Sequence, residues 1–410
     1  MDSLLKEFED QWKNEVYAPF LFEHKDSLRW NTLSNNPNVT MYIISKYAHL
    51  KWLWYDVSSN PNLDIHTICS FEHERWNWSA ISSNKNITMD VVGEYASYPW
   101  SWDGLSQNPN LTVAFIRQYP VDWWKWSSIS ANSAITLSIL TENLDLPWEW
   151  SYVSKNPNLS MDFVINHPTY EWDWFSLSFH NHFSMDIVLT YPDKIDQRNQ
   201  WKYISKHANI TMDMIIMYAD LPWVFSCVSQ NPNLTTDMLN RRPDEEWNWN
   251  FISSNPGITV AMIEANLSLP WRWSQVGCNP NVPLDYVLKY PDRCWEWWNI
   301  SLNSTITSTM VENSPYLPWD IQALSINPNL SVSLVSELPV SRNRWNFEAI
   351  ARHHFDIDRK TYACSKMSCI SLLSMMDEDY HREEGILDYS NAVDVVIQSE
   401  FMISVMSSYL

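Results

Sequence analysis

Five glycines in 410 residues are too few to build the backbone cradles that hold phosphates. None of the runs G-x-x-x-x-G-K-[ST], G-x-G-x-x-G or G-x-S-x-G occurs, so nucleotide, dinucleotide and serine-hydrolase chemistry is not expected. Cysteine is also sparse. Cys69, Cys227, Cys278, Cys294, Cys364 and Cys369 show no pairing pattern, and Cys364 and Cys369 have no second pair to complete a zinc set. They read as free thiols of a reducing compartment. The eleven His form no H-x-x-x-H or H-E-x-x-H run, so no metal site is expected.

No stretch approaches eighteen uninterrupted apolar residues, which argues against a transmembrane helix. The first residues, MDSLLKEFEDQWKNE, carry acids where a signal peptide needs a basic region. Cations are outnumbered, 27 Lys and Arg against 48 Asp and Glu, for a net charge of −21. A nucleic-acid binder neutralises phosphates with Lys and Arg, so that balance disfavours one. The composition points away from secretion, membranes, cofactors and catalysis.

What is present is order. With 45% apolar residues, 26 Trp among them, the chain is not of a disordered class. The middle position of a recurrent Asn-Pro-Asn falls at Pro37, Pro61, Lys85, Pro109, Ser133, Pro157, Asn181, Ala208, Pro232, Pro256, Pro280, Ser304 and Pro328. Eleven of the twelve intervals are 24 residues, and the exception is 27, between Asn181 and Ala208. A fourteenth, degenerate copy begins at Trp345. A fixed period of this length marks a repeat architecture.

Each unit reads roughly W-x-W-x-x-[ILV]-S-x-N-P-N-[LIV]-[ST]-x-D-x-[VI]-x-x-x-P, as from Trp148 to Asp162. In the second half, Thr40, Thr88, Thr112, Thr136, Ser160 and their counterparts are placed to cap a helix. Apolar pairs such as Leu159 with Val164 have the spacing of a hydrophobic staple. Asp90, Asp162, Asp186, Asp213, Asp237 and Asp285 suit the dipole of a helix start. They fit that role better than a cation ladder, since only six of thirteen units have them. Pro at 120, 168, 192, 243, 291, 315 and 339 ends the helix after about two turns. In the first half Trp150, Val153 and Ser154 have helical spacing for about two turns, part of it 3₁₀.

Two short helices cannot hide their apolar faces alone, so neighbouring units must supply the burial. The fold expected is an all-α solenoid of 13–14 such units, forming a rod or arc on the order of 100 Å long at about 8–10 Å per layer. Asn precedes the marker in eleven of thirteen units, and a column of Asn is suited to bonding the neighbouring unit's backbone. Trp fills each of the two aromatic slots in eleven of thirteen units. Such columns could stack bases. A buried Trp, however, removes about 150–250 Å² from water, about 4–6 kcal/mol at roughly 25 cal/mol per Å². Core packing is the expected use. The N-x-[ST] sequons at Asn38, Asn86, Asn110, Asn158, Asn209, Asn233 and Asn329 are by-products of the turn, and no glycosylation is expected.

These residues carry a resemblance. The run [VI]-S-x-N-P-N-[LI]-[ST]-x-D-x-[VI] at a period of 24 is similar to the leucine-rich-variant repeat, which implies alternating α and 3₁₀ helices in a right-handed superhelix. The Trp-x-Trp decoration resembles tandem repeat proteins of giant nucleocytoplasmic DNA viruses. That likeness implies a viral protein in host cytoplasm or in the virion. Some leucine-rich-variant proteins hold an N-terminal iron–sulfur cluster, but no Cys precedes Cys69 here.

Outside the repeat, residues 1–27 read as an amphipathic cap through Leu4, Leu5, Phe8, Trp12 and Val16, and 28–355 as the solenoid with a three-residue insertion near 192–200. The insertion, with Asp193, Lys194, Asp196, Arg198 and Asn199, reads as a longer surface loop. Residues 356–410 read as a C-terminal helical cap or partner-binding segment. Helices are expected near 362–376 and 392–406, the latter with Val393, Val396, Ile397 and Phe401 on its apolar face, and an acidic connection from Asp377 to Gly385. No catalytic, cofactor or metal residue is singled out. The function expected is a non-enzymatic scaffold for a protein partner, with a self-assembling virion component as the alternative and a Trp-column nucleic-acid binder as the remoter one.

Overall fold

The computed structural model describes residues 2–195, 199–338 and 344–380, and all their regular elements are helical. Pro339, Asp196, Arg198 and the helix expected near 392–406 lie outside the described residues. Each unit contributes a first helix of four to six residues, here called A, that starts at the second Trp slot, such as Trp54–Val57 or Trp102–Gln107, or one residue before it in Gln200–Ser205. A second helix, B, follows after the Asn-Pro-Asn turn, such as Met161–Asn166. The expected Ser, Thr or Asp accepts a hydrogen bond from the helix start in eleven of the thirteen B helices. Where Pro follows at 168, 192, 243, 291 or 315, the B helix stops two residues before it. The 3₁₀ character expected of the first half is confined to i→i−3 bonds at the A-helix ends, such as Asn60 N to the Val57 carbonyl at 2.9 Å. Within the insertion, Pro192–Lys194 forms a 3₁₀ turn that buries Ile195.

The buried core repeats with the sequence. Leu33, Val57, Ile81, Leu105, Ile129 and Val153 are fully buried on successive A helices, and Val39, Leu63, Ile87, Leu111, Ile135 and Leu159 follow after the turn. The first Trp of each pair is buried or half-buried, and its indole N–H donates to the carbonyl five residues back, as Trp148 does to Asn143 at 2.8 Å, or eight back at Trp124. The second Trp meets the first Trp of the next unit edge to face. Trp30–Trp52, Trp78–Trp100, Trp126–Trp148, Trp201–Trp223 and Trp249–Trp271 all stand 5.0–5.5 Å apart at 85–90°. That arrangement suits the ring quadrupole and welds neighbouring units.

The Asn column is a ladder. Asn60 Nδ2 donates to the carbonyls of Ser34, Asn36 and Val39 in the preceding unit, and its Oδ1 accepts from Asn62 N at 2.9 Å. The central contact, from one rung to the carbonyl of the previous rung, recurs at Asn84, Asn108, Asn132 and Asn156. It continues through His180, His207, Asn231, Asn255, Asn279, Asn303, Asn327 and His353. A Ser on each A helix adds a second tie, as Ser82 Oγ accepts from Ser101 N at 2.9 Å.

The ladder then returns to its start. Asn36 Nδ2 donates to the carbonyl of His353 at 3.0 Å and of Ala351 at 2.8 Å, and Asn38 Nδ2 to that of His354 at 2.6 Å. Unit 14 therefore binds unit 1 as every unit binds its neighbour. Fourteen units share 360°, about 26° each. The rod or arc expected from the sequence is replaced by a closed ring. At about 8–10 Å per helix layer it is about 35–45 Å across through the A-helix axes. A-helices of successive units, unit 14 on unit 1 included, approach more closely than B-helices do, which places A on the inner circumference and B on the outer. The approach is tight enough at one place to require glycine: a Cβ on Gly104 would stand 2.4 Å from the Ser79 carbonyl oxygen.

The two ends, expected to cap opposite faces of a rod, meet instead. The N-terminal helix Asp2–Trp12 continues through a π turn into Ala18–Glu23 and packs on the C-terminal helix Asp356–Tyr380. Arg359 reaches Glu9 at 3.3 Å, Asn38 at 2.7 Å and Asp356 at 2.6 Å, and Tyr362 donates to Glu15 at 2.5 Å. Phe355, buried and in the left-handed backbone region at φ 50°, fits among Trp12, Tyr17 and Phe20. The long helix also runs through 377–379, read from sequence as part of a connection. No Pro or Gly lies between Asp356 and Tyr380, so nothing interrupts the helical ladder over those residues.

A rung removed from the interior of the ladder orphans several buried carbonyls at once. Asn231→Ala is expected to lower unfolding stability by about 3 kcal/mol or more. Asn35→Ala, on the exposed neighbour of rung Asn36, should change it by less than about 0.5 kcal/mol. Urea titrations of the two variants make the comparison.

Candidate functional site: the inner wall of the ring

Each unit has three positions on the inner side of its A helix, those one, two and five residues after the second Trp slot, and they face the wall except where Gly104, Ser176 and Ala323 are buried. The intervening positions carry the buried aliphatic residue and the ladder Ser. The buried positions are nearly constant from unit to unit, while the wall positions vary from Ser151, Tyr152 and Lys155 to Phe175, Ser176 and Phe179, and on to Lys202, Tyr203 and Lys206. No helix-forming requirement fixes a residue whose side chain leaves the stack, so the wall is where the sequence is free to differ.

Charge divides between the walls. Of 48 acidic residues, the wall positions hold three, Asp56, Asp103 and Glu348, and units 5 to 13 have none there. The bases there are Lys155, Lys202, Lys206 and Arg352. At the rim, Asp173 and Asp320 turn back to accept from the backbone of their own helices. The helix-start acids Asp90, Asp162, Asp186, Asp213, Asp237 and Asp285 are exposed on B helices, on the outer wall. There Lys289 pairs with Glu264 at 2.9 Å and Arg117 with Asp145 at 2.9 Å. These lie in the range of screened surface pairs.

The Trp columns are not a stacking platform, because the second-slot Trp rings have a neighbouring ring against them, a Trp in every case but Trp174, which has Tyr191, and the first-slot rings are buried or half-buried. Among the described residues no group of three or more His, Cys, Asp or Glu is placed to share a metal ion, and no helix is long and apolar enough to cross a membrane. A hollow of about 360 Å³ opens on the inner wall beside the seam, lined by Asn31, Asn35, Asp56, Arg352 and His354 among others. Compared with family models, with curated proteins and with solved structures, the chain finds no match.

Three rungs are chemically distinct. His180, His207 and His353 each donate one bond through Nε2, to the carbonyls of Asn156, His180 and Asn327, while Nδ1 accepts from the backbone N–H two residues on. That pairing requires the neutral imidazole, since a proton on Nδ1 would evict its donor. Two of the three span the irregular intervals, 27 residues at His207 and 26 at His353, where a longer side chain reaches farther. His180 and His182 stand where other units carry the two Asn of the turn. Burial lowers the pKa of all three rungs below the ordinary 6.5, more than the carbonyl contacts raise it. At His353, His354 pushes the same way and Asp356 opposes.

With the folded-state pKa lowered, the unfolded chain binds more protons than the folded one between the two values. Stability is therefore full above pH about 6.5 and falls as pH drops below it. The triple variant His180→Asn, His207→Asn, His353→Asn should flatten the loss of melting temperature between pH 7 and 5. An unchanged slope would show that these rungs do not titrate in that window.

Proposed function

We propose that the chain is a non-catalytic scaffold, a ring whose inner wall binds a protein partner. The observation that carries the reading is the contrast between near-constant buried positions and varied wall positions on one rigid frame. Positions that the fold leaves free can carry a different side chain in each unit, and on a rigid concave frame that gives the wall the varied chemistry that recognition of a partner uses. Exclusion of carboxylates from most of the wall supports the same reading. Repeat frames commonly offer such extended concave surfaces.

The likeness of the repeat to giant-virus proteins extends the proposal to an infected host cell or a virion, as a scaffold there or as a component of the particle. Cross-linking with an amine-reactive reagent on protein isolated from its native source tests it. The expected result is one foreign chain cross-linked through Lys155, Lys202 or Lys206. Cross-links that join only copies of this chain, through outer-wall lysines such as Lys46 and Lys289, would favour self-assembly instead.

A further inference from the structure

We infer that the inner wall of units 6 to 8 binds an acidic peptide segment that carries an aromatic or aliphatic anchor. The inference rests on the scaffold reading and names its partner class and its place on the ring. Phe175, Phe179 and Tyr203 form one exposed cluster there, with ring centroids 5.3–5.4 Å apart. Phe175 and Phe179 leave 44% and 45% of their surface open. Nothing in the packing of the stack needs these rings, since units 3 and 5 fill the equivalent positions with Ser79, Ala80 and Ser83 and with Ser127, Ser128 and Ala131, and the other large apolar wall residues, such as Tyr55, Phe251, Trp298 and Ile326, have no lysine at the wall positions of their own unit.

The lysines concentrate at the same place. Lys206 lies 5.0 Å from the Tyr203 ring centre, Lys155 lies 4.9 Å from that of Tyr152, and Lys202 adjoins Tyr203. Three of the four cations at wall positions therefore flank one apolar cluster, and no wall position of units 5 to 13 holds a carboxylate to neutralise them. Of the rim acids nearby, Asp173 is tied to Ser176 at 2.6 Å and Glu149 stands at the start of the unit 6 helix. In a protein of net charge −21, a cationic patch on a carboxylate-free wall selects a partner by charge complementarity, and the ring cluster supplies the apolar contact.

A single-stranded nucleic acid would also meet lysines and aromatic rings. The geometry favours the peptide. Phe175 stands at 75° to Phe179 and 87° to Tyr203, so the rings build an apolar knob rather than parallel faces between which bases stack. Three lysines also cannot follow a phosphate backbone for more than a few nucleotides across an acidic protein.

Fluorescence anisotropy with the full chain separates the cases. The probe is a labelled twelve-residue peptide of Asp and Glu with one Phe and one Leu. Controls are the same peptide with Asn and Gln for the acids, the same with Ser for Phe and Leu, and a labelled twelve-nucleotide oligo-dT. The acidic anchored peptide is expected to bind at least tenfold more tightly than either peptide control. Lys155→Glu with Lys202→Glu and Lys206→Glu, all at exposed positions, should weaken it at least tenfold, as should Phe175→Ser with Phe179→Ser. Retained helical circular dichroism in both variants separates lost binding from lost fold. Equal affinity for the three peptides, or none, overturns the inference, and tighter binding of oligo-dT overturns it in favour of nucleic acid. If cross-linking still finds a protein partner on another wall position, the scaffold reading survives while this site does not.

Discussion

The fold depends on a hydrogen bond made fourteen times in a closed circuit, from the side chain of one rung to the backbone carbonyl of the rung before it. A short helix leaves backbone carbonyls without partners at its C-terminal end, and stacking such helices buries them. The Asn-Pro-Asn turn answers both demands. The first Asn holds its own turn through Oδ1 and satisfies the preceding unit through Nδ2, while Pro or a substitute fixes the turn between. Because donor and acceptor lie in different units, no unit is complete alone. Closure removes the last exposed stack faces, which an open solenoid must cover with caps.

Much of this was legible in one sequence because a strict period exposes the burial pattern directly. Caps such as Thr88 and Ser160, staples such as Leu159 with Val164, and the Asn rungs all follow from local chemistry at a fixed spacing. The closure was not legible. It depends on the angle between units, about 26° summed fourteen times, and no single residue encodes that angle. One signal did point to it in retrospect: His353, His354 and Phe355 stand where other units carry Asn-Pro-Asn, and the rung survives there as His. Gly104, within contact of the Ser79 carbonyl, is a second trace of how tightly the inner helices crowd.

The wall was legible only in part. Which positions leave the stack follows from the helical period, but which wall faces inward follows only from the ring. Tyr152, Phe175, Phe179 and Tyr203 are scattered in the sequence among 26 Trp with a structural use, and nothing local separates the two groups. Exposure separates them, and so does the absence of carboxylates around them. Structural aromatics here are paired with another ring or buried. Phe175, Phe179 and Tyr203 are packed against each other, yet Phe175 and Phe179 stay open to solvent, as does Tyr152 under Lys155.

The central claim is that unit 14 binds unit 1. Spin labels at Arg29→Cys and Arg352→Cys, with the exposed native thiols Cys294 and Cys364 replaced by Ser, measure it by double electron–electron resonance. The closed ring places the labels on neighbouring A helices and predicts a narrow distance below about 25 Å. An open arc of fourteen layers would separate them by many tens of ångströms, on the order of 100 Å if straight, and that result would contradict the account.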